Sequence, residues 1–160
     1  MRVFITGATG TVGREVCRAL KARGVELRVG ARNASRVEEV ASWLEDVVRL
    51  DFEQDPVEPQ LFAGTRSFFF MTPLVDEQVQ SSKRVLAAAI EGGVEHIVRL
   101  SSRSAGWDPS SELRAWHREI DEAVRASGAK WTILRPCSFF QNFIRHQAAS
   151  IKHPYRNSMP

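Results

Sequence analysis

Cysteine is scarce in this chain. Cys17 and Cys137 are the only two, and neither belongs to a C-x-x-C pair. Zinc-ribbon and thioredoxin-type chemistry therefore lack their ligands, and no metal site is expected. A disulfide framework is not needed either, because 160 residues suffice to bury a core, and this cysteine usage suits a reducing compartment. Long apolar runs are missing as well. The longest, "FFFM" at 68–71, falls far short of the ~20 residues of a membrane-spanning helix. The opening "MRVFITGATG" has three consecutive apolar residues before turn chemistry begins, which is no secretory signal. A cytoplasmic chain without membrane association is the expectation. An excess of one charge is also lacking: 22 Lys+Arg against 19 Asp+Glu leave +3. With the basic residues scattered, there is no electrostatic footprint for a nucleic acid. Tyrosine is almost absent, Tyr155 being the only one. What remains, 43% hydrophobic and 26% charged, is the composition of an ordinary globular domain.

Periodicity organises the chain into an alternation. Strands are predicted at 3–5, 25–29, 47–50, 67–71, 96–102 and 131–136. Helices are predicted at 11–23, 35–45, 75–91, 112–126 and 138–149, with at most a short helix near 60–63. Val12, Val16 and Leu20 share one face of the first helix, and Val37, Val40, Ala41 and Leu44 one face of the second. Cys17 falls inside the first helix as a small core residue. Gly24, Gly92-Gly93 and Gly128 stand where three of the helices end. Asn33 or Ser35 starts the second helix, and Ser111 the one at 112. Repeated strand–helix alternation implies an α/β fold: a doubly wound parallel sheet of Rossmann type, with helices on both faces. No linker or repeat divides the sequence, so residues 1–160 are expected to form one domain.

The first strand-to-helix turn carries the chemistry. It reads "TGATGTVGRE", with Gly7, Gly10 and Gly13 three apart. In that position Gly7 permits the tight turn, Gly10 a close backbone approach to phosphate oxygens, and Gly13 close packing of helix on sheet. Amides around Thr9 to Val12, with the helix dipole, form an anion site, and the hydroxyls of Thr9 and Thr11 add donors. No Lys-Ser/Thr follows Gly13, which excludes a nucleotide-triphosphate P-loop. A dinucleotide pyrophosphate is the expected ligand; the alternative is an ordinary tight turn. About twenty residues on, an Asp or Glu would accept from an unphosphorylated ribose. The stretch 28–36 has no acid, and Arg32 is placed for a charge-assisted pair with a 2′-phosphate. Asn33, Ser35 and Arg36 complete that pocket, unless Arg32 and Arg36 are simply solvated. NADP(H) is therefore favoured over NAD(H). Met71, Thr72 and Pro73, at the end of the fourth strand, are expected to line the path from pyrophosphate to nicotinamide. Thr72 has the alternative of capping the next helix.

The same residues carry a family likeness. "TGATGTVGREV" resembles the atypical short-chain dehydrogenase/reductases, and within them the NmrA-like group and its NAD(P)H:quinone oxidoreductase relatives. "ARNASR" at 31–36, "FFFMTPLVDEQV" at 68–79, "HIVRLSS" at 96–102, "WHREIDEAVRASG" at 116–128 and "TILRPCSFFQN" at 132–142 are similar to stretches of that group, in order. The resemblance implies that Asp51 and Phe52 contact the adenine, the alternative for Asp51 being a cap or turn acid. It also implies that Pro136 and Asn142 lie near the nicotinamide and substrate. Phe139 and Phe140 are candidates to stack on a flat substrate or, alternatively, to fill core.

Typical short-chain dehydrogenases pair a Tyr-x-x-x-Lys with a serine at the end of the fifth strand. Ser101 or Ser102 matches the serine, but the tyrosine is missing. At ~100° per residue Leu113, Trp116, Ile120 and Val124 share a face, with His117 in the stripe and Asp121 at its border. His117 is the candidate proton donor, oriented by Asp121, with Ser101 and Ser102 as polar assistants; the alternative is a histidine tucked against the sheet. Two readings follow. One is an NADPH-dependent oxidoreductase that passes hydride to a quinone or similar small electrophile. The other is a non-catalytic NmrA-like redox sensor that acts through a protein partner. Members of the resembled family continue past this length, so the chain is expected to be truncated before most of the substrate lobe. The exposed apolar edge this would leave makes a homo-oligomer one expectation.

Overall fold

Residues 1–54, 56–75, 77–106, 111–137 and 139–142 are described in the computed structural model. Six strands, β1 (Arg2–Thr6), β2 (Glu26–Ala31), β3 (Val47–Arg49), β4 (Ser67–Phe70), β5 (His96–Leu100) and β6 (Lys130–Leu134), form one parallel sheet. Their order is β3-β2-β1-β4-β5-β6, the Rossmann arrangement. It is joined by α1 (Thr11–Lys21), α2 (Ala34–Ala41), α3 (Gln78–Glu91) and α4 (Glu112–Ala126), and followed by the short α5 (Phe140–Asn142). The short helix expected near 60–63 is a 3-10 turn at Pro59–Phe62.

Alternation along the central strands divides the core in two. Val3, Ile5 and Phe69 point to one face, where Cys17 of α1 and Val37 of α2 meet them. Phe4, Phe68 and Phe70 point to the other and pack with Val85 of α3 and Ile120 and Val124 of α4. A period of two on β1 and β4 thus places a helical layer on each face. The second layer is aromatic: Phe4 lies 4.3 Å from Phe62 between ring centroids and 5.4 Å from Phe68, edge to face. Such pairs add about 0.5–1.5 kcal/mol each beyond their buried area. Burial pushes the Cys17 thiol up to about 11, so it packs as an inert core residue.

Boundaries moved where local chemistry was misjudged. α2 stops at Ala41, and Leu44 turns back to hydrogen-bond the Ala41 carbonyl at 2.9 Å rather than extending the helix. α3 begins at Gln78, because residues 71–75 leave β4 as irregular chain containing Pro73, which cannot donate to a helix ladder. Of the helix expected over 138–149, only 140–142 fall in an element; 138 and 143–149 lie outside the described residues. Among the described residues β6 is one of the two edge strands of the sheet, with Trp131, Thr132 and Leu134 exposed and the Arg125 guanidinium 5.4 Å from the Trp131 ring. No described helix is long and apolar enough to cross a membrane.

Candidate functional site

β1 delivers the chain into the glycine turn with a fixed geometry. The Thr6 hydroxyl accepts from the Met71 N–H at 2.9 Å and donates to the Met71 carbonyl at 2.7 Å, pinning the ends of β1 and β4 together. Gly7 turns with φ +75°, a conformation glycine adopts without strain, and its carbonyl accepts the Gly10 N–H at 2.9 Å. At Gly13 the constraint is contact: a Cβ there would stand 2.1 Å from the Gly7 carbonyl oxygen. The sequence expectation was helix-to-sheet packing; the observed close approach is between the first turn of α1 and the loop that precedes it. Gly10 is the N-cap of α1, and the first turn carries no acidic residue. The amides of that turn therefore keep their positive end, as an anion requires.

In front of this turn lies a cleft of about 590 Å³, a size usual for a small-molecule site. It opens at the C-terminal ends of β1, β2, β3 and β4, and residues 6–10, 30–33, 50–53 and 71–75 with Arg36 line it. The fold thus gathers Gly7, Thr9, Gly10, Arg32, Asn33, Arg36, Asp51, Phe52, Met71, Thr72 and Pro73 around one space. Thr11, Val12 and Gly13 belong to the first turn of α1 and do not line it. Arg32 reaches Glu53 across the wall, Nη1 to Oε2 3.4 Å. Asp51 accepts the Glu53 N–H on Oδ1 at 3.1 Å. The Phe52 ring is buried and lies nearly parallel to Phe70, 10° apart, so its ring belongs to the core. The Thr72 hydroxyl accepts from Gln78 Nε2 at 2.9 Å, whereas the N-cap of α3 is Glu77; Thr72 is not the cap.

A second polar cluster joins β5, α4 and the chain after β6. Arg99 and Asp121 are both fully buried. Ser101 donates to Asp121 Oδ2 at 3.0 Å, and Arg135 donates to the same oxygen from Nε at 3.1 Å and Nη2 at 2.9 Å. Arg99 Nε lies 3.9 Å from Asp121 Oδ1, and its guanidinium stacks 5.3 Å from the Phe70 ring. Burial lowers the Arg99 guanidinium to about 10, against the pull of Asp121, and leaves it charged at neutral pH. This geometry corrects one expectation. Asp121 does not orient His117: its hydrogen bonds go to Ser101 and Arg135, and the imidazole Nδ1 faces Arg99 Nη2 at 3.3 Å. Arginine only donates, so Nδ1 accepts and the ring proton sits on Nε2. Burial first, and Arg99 second, hold His117 below its ordinary value, with Asp121 opposing. The Ser102 hydroxyl pairs with that of Ser104 at 2.9 Å.

His117, Ser101, Ser102, Pro136, Phe139 and Phe140 do not line the cleft. Phe139 and Phe140 are exposed, the latter 84%, which removes the core alternative for them. The side chain of Asn142 lies outside the described residues. Sequence reasoning missed Glu53, whose only signal is its place two residues beyond Asp51. It also missed Arg99 and Arg135; an arginine inside the otherwise apolar strand "IVRL" was the available signal.

Comparison with known proteins supplies the family. The NAD(P)H-binding family profile matches residues 7–152. An NAD(P)H azoreductase from Xenophilus azovorans is 29% identical over 147 residues, 92% of this chain and 51% of that protein. A (4-alkanoyl-5-oxo-2,5-dihydrofuran-3-yl)methyl phosphate reductase from Streptomyces griseus is 34% identical over 142 residues, 88% of this chain and 49% of that one. Among solved structures, the NADPH complex of an Escherichia coli NADPH-dependent quinone oxidoreductase superposes with a TM-score of 0.83 at 23% identity. The superposition covers 94% of this chain and 54% of that one. The chain spans about half the length of the curated relatives it matches. With a Rossmann sheet, a glycine turn and a cleft before it, the chain belongs to the NAD(P)H-binding family.

Proposed function

We propose that the chain is an NADPH-dependent oxidoreductase that holds the coenzyme in the cleft and transfers hydride to a quinone or similar small electrophile. The observation that carries this reading is the wall after β2. No carboxylate occurs between Glu26 and Glu38, and Arg32 and Arg36 both line the cleft. Guanidinium groups there suit a 2′-phosphate through charge-assisted hydrogen bonds. The α1 amides suit the pyrophosphate, Asp51 Oδ2 the adenine amino group, and residues 71–73 the approach to the nicotinamide. The quinone oxidoreductase solved with NADPH and the two reductase relatives support the assignment.

When bound, the reduced nicotinamide supplies the hydride. The chain's own part is to orient the partners and to stabilise the charge that develops on the acceptor. His117, neutral with its proton on Nε2, offers a hydrogen bond to the oxygen that gains charge as hydride arrives; solvent supplies the proton that completes reduction. Ser101 fixes the cluster beside it and Ser102 is a polar assistant. Pro136, Phe139, Phe140 and Asn142 belong to the substrate side in this reading, and residues 1–160 act as one coenzyme-binding unit.

One observation favours a second reading, a non-catalytic NADP(H) sensor. Ser101, Ser102 and His117 stand off the cleft, and the Ser101 hydroxyl is committed to Asp121. Steady-state NADPH oxidation with a panel of quinones separates the two. Turnover supports the oxidoreductase, and calorimetric NADPH binding without turnover supports the sensor. No heat with any reduced or oxidised nicotinamide coenzyme would defeat both.

A further inference from the structure

Among the described residues, Glu53 is the one carboxylate paired with the arginine assigned to the 2′-phosphate, and it shares the cleft with that arginine. Its position is built rather than accidental. The Asp51 carboxylate caps its N–H at 3.1 Å, and Arg49 Nη2 donates to Gln54 Oε1 at 2.9 Å one residue further, so both sides of Glu53 are tied down after β3. Its side chain is 54% exposed and that of Arg32 71%, so the pair stands in solvent at the rim. An exposed pair of this kind holds weakly and exchanges partners readily. A phosphate brought to Arg32 must displace Glu53 and then sit beside its negative charge. A free ribose hydroxyl, by contrast, would find in Glu53 an acceptor, supplied from the chain after β3 because the end of β2 has none.

We infer that Glu53 is a coenzyme-selecting residue: it competes with the 2′-phosphate for Arg32 and accepts from the 2′-hydroxyl of the unphosphorylated coenzyme, narrowing the preference for NADPH over NADH. This inference rests on the assignment of Arg32 to the 2′-phosphate.

Calorimetric titration of the full 160-residue chain with NADPH and with NADH, at low ionic strength where exposed charges are least screened, tests it in four proteins: wild type, Glu53→Gln, Arg32→Ala and the double variant. Glu53→Gln, an exposed and nearly isosteric change, is expected to tighten NADPH roughly three- to tenfold and to leave NADH unchanged or weaker. In the Arg32→Ala background the same change is expected to have less than half that effect, measured as the logarithm of the affinity ratio. An NADPH/NADH ratio that stays within twofold of wild type in Glu53→Gln would overturn the inference. So would a Glu53→Gln effect of full size without Arg32. Failure of the parent assignment looks different: Arg32→Ala would then weaken both coenzymes equally, whatever Glu53→Gln does.

Discussion

At the cleft beside β1, β2 and β4 the charged side chains stand in solvent, and the Arg32–Glu53 pair is 3.4 Å long and mostly exposed. Between α4, β5 and β6 the charges are out of water: Arg99 and Asp121 are fully buried, and a single Asp121 oxygen takes hydrogen bonds from Ser101 and twice from Arg135. Exposed pairs contribute about 0–1 kcal/mol and re-partner with ease. Breaking a buried pair strands a charge and costs about 3–5 kcal/mol. A ligand can therefore exchange places with a side chain at the first site but not at the second. The cluster's work is mechanical, tying α4 to the ends of β5 and β6 and fixing the tautomer of His117.

The largest expected effect tests the buried half. Asp121→Ala should lower unfolding free energy by about 3–5 kcal/mol, read from urea denaturation, while the folded fraction keeps its coenzyme affinity. Equal coenzyme loss at unchanged stability would place the cluster in the binding site and abolish the contrast. Gly13→Ala tests the other half. Its Cβ would press on the Gly7 carbonyl at 2.1 Å, two backbone segments that cannot both stay in place. Calorimetry should register about a 100-fold loss of affinity for both NADPH and NADH, about 2.7 kcal/mol; an unaltered affinity would detach the glycine turn from the coenzyme.

How legible these two regions were in the sequence differs for a physical reason. Glycine spacing, strand–helix alternation and the lack of acid after β2 are local signals, and together they named Gly7, Thr9, Gly10, Arg32, Asn33, Arg36 and Met71–Pro73 of the cleft and a Rossmann-type sheet, while Asp51 and Phe52 came from the family resemblance. The buried cluster depends on pairs far apart in the chain. Helical periodicity put Asp121 near His117, yet the partners that claim its carboxylate, Ser101 and Arg135, come from other elements at separations of 20 and 14 residues. Nothing within α4 announces them. Phe139 and Phe140 were open between substrate and core for the same reason: their exposure is set by the packing around the chain after β6 and by nothing in their own stretch. Glu53 was hidden because its meaning depends on β3 lying beside β2, which brings the loop after one strand against the arginine after the other.

Arg32→Ala should have a smaller effect than Gly13→Ala, because it removes one contact and leaves the turn intact. NADPH affinity is expected to fall about tenfold, roughly 1.4 kcal/mol, with NADH changed by less than about twofold. The two coenzymes titrated in parallel decide the matter, and equal loss for both would return Arg32 to the role of a solvated side chain.

The smallest effect concerns pH and the buried half alone. Arg99 of β5 faces the His117 imidazole, Asp121 lies one turn along the same helix, and Arg135 from beyond β6 neutralises that carboxylate. Burial and Arg99 hold the folded imidazole below its unfolded value of 6.5. Below that pH the unfolded chain binds a proton that the folded chain refuses, so stability rises with pH across the window. The contribution is whole above about 6.5 and is lost as pH falls through the folded value. Thermal unfolding followed from about pH 7.5 down to about 5 should show the wild type losing Tm more steeply than His117→Gln once pH passes below 6.5, and running parallel to it above. Parallel curves throughout would mean that His117 takes up its proton as readily folded as unfolded. Arg99 would then not be holding it neutral, and the ring would be free to act as an imidazolium acid instead of a fixed donor.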